Sequence, residues 1–74
     1  MEYNRFNYEE NLKEEYYRLQ HSIHNVEHMR SMCIAGEEDS QYISEYSLLD
    51  AQLHAMKTYA YLLQERARLE GIAL

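Results

Sequence analysis

"LLDAQLHAMKTYAYLLQERARLEG", residues 48–71, is the stretch that decides the fold. It reads as one uninterrupted helix, because no proline or internal glycine breaks it and its apolar residues recur at intervals of three and four. Set at helical spacing, Leu49, Leu53, Met56, Ala60, Leu63 and Ala67 form one stripe. Leu48, Ala55, Tyr59, Leu62 and Leu69 form a second stripe roughly a quarter turn away, with Gln52 and Arg66 among them. Asp50, His54, Lys57, Gln64, Glu65 and Arg68 hold the far side. A single partner helix covers only one of the two stripes. The second either widens the intramolecular face or docks on another chain, and the expectation is a subunit interface, since exposed apolar patches of this kind mark association sites.

The partner for the first stripe lies upstream. Over about 9–34, Leu12, Tyr16, Leu19, Ile23, Val26 and Cys33 alternate in steps of four and three, a seam for one neighbour. Arg30 stands where the next apolar residue is expected, and Met29 fills that gap from the side. Glu9, Glu10, Glu14 and Glu15 fall in the early turns, at the positive end of the helix dipole, and Glu9–Lys13 and Glu14–Arg18 are correctly ordered i,i+4 pairs. Gly36 suits the left-handed position past a helix end, and "EEDS" supplies turn residues with an N-cap at Asp39 or Ser40. Ser47 offers a rival start through the capping-box spacing of "SLLD", but Tyr42, Ile43, Tyr46 and Leu49 already show helical spacing and favour Ser40. Gly71 is the stop, with Arg66 and Arg68 near the negative end of the helix. The expected chain is all-α: an arm over about 1–8, helix one over about 9–34, a turn over about 35–39 and helix two over about 40–70, folded as an antiparallel hairpin.

Seventy-four residues make one domain that removes little surface from water by itself. Chains of this size draw extra stability from disulfides, a structural metal or self-association. Cys33 is the single cysteine, so no internal disulfide forms, and assembly into a homo-oligomeric, coiled-coil-like bundle is the expected source. Thirteen acidic residues against seven Lys and Arg give a net charge of −6, which disfavours duplex nucleic acid and anionic membranes as partners. With no long apolar run and no charged-then-apolar leader, the expected location is the cytoplasm.

Chemistry-bearing motifs are few. His21, His24 and His28 share the face of helix one opposite the seam, at a spacing that helical zinc ligands also use. No cysteine joins them and His54 belongs to the other helix, so a solvated polar face is expected and no metal or cofactor is assigned. Cys33 sits on the seam, as a small core residue does. There is no triad logic among the Ser, His and Asp residues, no phosphate-cradling glycine loop and no zinc-ligand cysteine pair, and the chain is read as non-enzymatic. Eight tyrosines are a heavy aromatic load. In "MEYNRFNYEE", Tyr3, Phe6 and Tyr8 surround Arg5, Asn4 and Asn7: rings that either plug the open end of the hairpin or stack on planar bases while Arg5 meets a phosphate.

The carboxyl-terminal third, through the spacing of Gln52, Leu53, Met56, Tyr59, Leu62 and Arg66, resembles the last helix of small phage-encoded helical hairpins, in particular the anti-CBASS cyclic-nucleotide sponge family. That resemblance implies an oligomeric hairpin that sequesters an immune signalling nucleotide without cleaving it, in pockets between protomers, with aromatic rings on bases and basic or polar groups on phosphates. Here Tyr3, Asn4, Arg5, Tyr8, Arg18 and Arg66 would fill those roles, in the cytoplasm of an infected host. The acidic balance departs from such a site, and an anionic ligand requires Arg5, Lys13, Arg18, Arg30 and Arg66 to converge. The alternative function is a protein-interaction module, an inhibitor or adaptor acting through the Leu48, Tyr59 and Leu62 stripe.

Overall fold

The computed structural model describes residues 5–34 and 46–74, with side chains from Asn7 to Cys33 and from Tyr46 onward. Two helices, α1 (Arg5–Ile34) and α2 (Tyr46–Glu70), pack against each other as an antiparallel hairpin about 53 Å long and 20 Å across. The direction follows from cross-hairpin pairs: Tyr8 meets Glu70 at one end and Arg30 meets Asp50 at the other. Neither described helix is long and apolar enough to cross a membrane.

The expected seams meet. Leu12, Ile23 and Val26 of α1 and Leu49, Leu53, Ala60, Leu63 and Ala67 of α2 are buried. Tyr16, Leu19, Met29, Cys33 and Met56 pack half-buried around them. Met29 does fill beside Arg30, which turns its guanidinium to Asp50 at 2.6 Å and leaves the seam to its neighbours.

Helix one starts earlier than expected. Arg5 to Tyr8 are already helical, where an arm is expected over 1–8, and residues 1–4 lie outside the described residues. The early carboxylates are displaced by this: Glu9 and Glu10 fall in the second turn, no acidic residue occupies the first, and the dipole attraction expected of them has largely decayed there. Arg18 pairs with Glu14 at 2.8 Å as the spacing required, while Lys13 reaches Glu10 at 3.8 Å. The turn over 35–39, the N-cap at Asp39 or Ser40 and the first residues of helix two, Tyr42 and Ile43 included, lie outside the described residues. Ser47, the rival start, is already inside α2.

The end of α2 is built as a Schellman cap. Gly71 takes φ +71°, its N–H donates to the Arg68 carbonyl at 3.3 Å, and the Ile72 N–H donates to the Ala67 carbonyl at 2.8 Å. Ile72 then folds back into the apolar cluster of Leu12, Leu63 and Ala67. This cap stops the helix at Glu70 and fixes where that carboxylate stands.

Candidate functional site

The two flanks of the hairpin are chemically unlike. One carries the ion pairs Arg30–Asp50 (2.6 Å) and Glu27–Lys57 (3.0 Å) and the bond from Gln64 Nε2 to the Tyr16 hydroxyl (2.6 Å). Lys57 holds the Glu27 carboxyl below the ordinary carboxylate range, mainly through their hydrogen bond. The other flank is closed by tyrosines. Tyr8 Oη donates to Glu70 Oε2 at 2.7 Å and accepts from Arg66 Nη2 at 2.8 Å. The guanidinium carbon of Arg66 lies 5.9 Å from the Tyr8 ring centroid, within cation–π reach. Tyr59 donates its hydroxyl to Glu15 across the hairpin.

These five side chains form one electrostatic unit. Arg66 is raised further above its ordinary value, first by the hydrogen bond to Tyr8, then by the charges of Glu70 and Glu15, so it is a permanent cation. Tyr59 is raised by its hydrogen bond to Glu15, which favours the proton it donates. Register explains the grouping: Tyr59 and Arg66 lie two turns apart on α2, Tyr8 and Glu15 two turns apart on α1, and antiparallel packing sets the pairs side by side. Beside Glu15 opens a shallow hollow of about 380 Å³ lined by Asn11, Glu14, Glu15 and Arg18, in which Arg18 is held by Glu14.

Of the six ligand residues expected from sequence, the structure brings Tyr8 and Arg66 into contact and places Arg18 in the adjoining hollow. Tyr3 and Asn4 lie outside the described residues, and Arg5 opens α1 with its side chain undescribed. The required convergence of cations does not form among the described side chains. Arg30 sits at the turn end with Asp50, and its position on α1 is 22 residues from Tyr8, about 33 Å along a helix. Of the three rings in the plug reading, Tyr8 packs half-buried on Leu12, Leu63, Ala67 and Ile72, while Tyr3 and the Phe6 side chain lie outside the described residues. Sequence periodicity gives Glu15 a place in the early turns and singles out Glu70 for nothing; their role as acceptors for Tyr59 and Tyr8 follows only from pairing the two helices in register, a step the two seams already permit.

The described residues leave the second stripe of α2 uncovered. Leu48 is 70%, Leu62 51%, Leu69 75% and Tyr59 41% exposed, and Ala55 is exposed as well. The stripe therefore does not widen the intramolecular face. It runs along the flank of Arg66, not the ion-paired flank. His21, His24 and His28 are exposed on the back of α1, and no group of metal-ligating side chains occurs among the described residues. Cys33 is half-buried against the core, as expected.

A family model described as Sequestin matches residues 7–69. No curated protein and no solved structure matches.

Proposed function

The chain belongs to the Sequestin family, and from that premise we propose that it is a non-enzymatic binding protein that sequesters a cyclic nucleotide or related signalling nucleotide between copies of itself. The family name speaks of sequestration, in agreement with the resemblance to nucleotide sponges carried by helix two. The observation that carries the finer reading is the Tyr8–Arg66 pair: an aromatic ring and a permanent cation, joined across the hairpin on the flank that also bears the exposed apolar stripe. A second copy seated on Leu48, Ala55, Leu62 and Leu69 encloses that pair, turning a surface cluster into a pocket between protomers. There the Tyr8 and Tyr59 rings stack on bases and Arg66, joined by Arg18 once Glu14 releases it, takes phosphate. Tyr3, Asn4 and Arg5, the remaining candidates from the sequence, complete the proposed set of ligand residues. Evasion of a host's nucleotide-based immunity, in the cytoplasm of an infected cell, is the biological role this chemistry fits.

Calorimetric titration of the purified protein with cyclic di- and trinucleotides tests the proposal. Saturable binding, loss of affinity in Arg66→Ala, and recovery of the intact nucleotide after the complex is denatured are the expected results. Uniform absence of binding, or recovery of cleaved nucleotide, removes it. The second reading, a protein-interaction module, is favoured by the same exposed stripe; it requires a stoichiometric protein partner that is lost in Leu62→Glu.

A further inference from the structure

The charges around Arg66 say more about the ligand than that it is anionic. One cation stands beside two carboxylates, Glu15 and Glu70, while Arg18 in the adjoining hollow is neutralised by Glu14. A ligand recognised through phosphate alone would set its negative charge against that pair. A carboxylate accepts hydrogen bonds and donates none when ionised. Each of these two now accepts a neutral hydroxyl, Glu70 from Tyr8 and Glu15 from Tyr59. Exchanging a tyrosine hydroxyl for a ligand hydroxyl keeps each carboxylate satisfied and frees the exposed Tyr59 ring to stack, while the Tyr8 ring stays seated on the core; exchanging it for a phosphate oxygen leaves an acceptor facing an acceptor.

Resting on the nucleotide reading above, we propose that Glu15 and Glu70 are the sugar-reading part of the site: they accept hydrogen bonds from ribose hydroxyls, so the protein takes ribonucleotides in preference to their 2′-deoxy counterparts. Arg66 sits between the two acceptors and takes the phosphate, which places sugar recognition on either side of phosphate recognition. A hydrogen bond to a charged acceptor is strong enough that losing one weakens binding by about 10-fold or more.

The test is titration of wild type with cyclic di-AMP and with its 2′,2′-dideoxy analogue, repeated on Glu15→Met and Glu70→Met, which keep side-chain length and remove the oxygen acceptors. Thermal unfolding of each variant, and the acceptor-retaining Glu15→Gln and Glu70→Gln, separate recognition from folding. The expected result is at least about 10-fold tighter binding of the ribose form by wild type, a gap that narrows in each Met variant, where one acceptor remains, and narrows less in the Gln variants. Equal binding of the two ligands by wild type overturns the proposal, as does an undiminished gap in both Met variants; a gap changed in only one overturns the role of the other carboxylate. If neither nucleotide binds wild type, the nucleotide reading itself fails, a result distinct from equal binding of both.

Discussion

Leu62 and Leu63 are neighbours in sequence with opposite surroundings, and the contrast makes the assembly measurable. Leu63 is fully buried against Leu12, Ala67 and Ile72, so Leu63→Ala leaves a cavity and costs about 2–5 kcal/mol, a large share of what a short chain holds. Leu62 keeps 51% of its surface in water. Complete burial of a leucine is worth about 1.5–3 kcal/mol, so the half still exposed contributes about 1 kcal/mol when a second copy covers it. A two-fold interface uses the residue twice, and Leu62→Ala then weakens association by about 2 kcal/mol, about 30-fold in the dissociation constant. Leu62→Glu, which buries a charge in the same place, abolishes it. Sedimentation velocity over a concentration series reads the association, and unfolding by circular dichroism at the same concentrations reads the fold. The Leu63→Ala loss is present at every concentration, whereas the Leu62→Ala loss appears only where wild type associates. A wild-type protein that sediments as a stably folded single chain at low micromolar concentration, or association unchanged in both Leu62 variants, refutes the reasoning and removes the pocket between protomers with it.

Three further outcomes follow from local geometry. Gly71→Ala meets no atom within 4 Å and suffers only the left-handed φ of +71°, so it lowers stability by about 1–2 kcal/mol in urea unfolding, and Gly71→Asn recovers part of that. Arg30→Met breaks the 2.6 Å contact with a half-buried Asp50 and lowers stability by about 1 kcal/mol, an effect that shrinks in Asp50→Asn when the two are combined in a double-mutant cycle. Glu27 titrates below the ordinary carboxylate range because of Lys57, so its share of stability is present at neutral pH and is lost as pH falls through that depressed value; NMR titration should find it restored to the ordinary range in Lys57→Met.

The hairpin was legible because burial imposes a period. Leu12 through Cys33 and Leu49 through Ala67 are spaced as a helix must space them to face one neighbour, and the structure buries those stripes. What single-helix periodicity does not encode is pairing across the hairpin. Arg30 looked like a defect in its seam because its partner, Asp50, lies 20 residues away in sequence and was assigned to the far side of its own helix. For the same reason periodicity gives Glu15 only a dipole role and Glu70 none, although the seams, once set antiparallel, bring residue 8 to residue 70 and residue 15 to residue 59.

In the proposed assembly, that pairing also sets the side from which a second copy would approach. The flank of Arg30–Asp50 and Glu27–Lys57 is lined by ions that water now solvates, and covering it would cost their desolvation and gain little apolar area beyond the exposed Tyr61 ring, one turn from Lys57. On the opposite flank the polar groups are already partnered, Tyr8 with Glu70 and Arg66, Tyr59 with Glu15, and beside them Leu48, Leu62 and Leu69 are left in water. Burial there gains the apolar area of three leucines, set against the desolvation of Arg66, Glu15 and Glu70. The face that favours self-association is therefore the face that carries Arg66, so loss of the interface and loss of the binding site should come from the same substitutions in the stripe, while Arg66→Ala, which leaves the leucines of the stripe in place, should leave association intact and abolish binding alone.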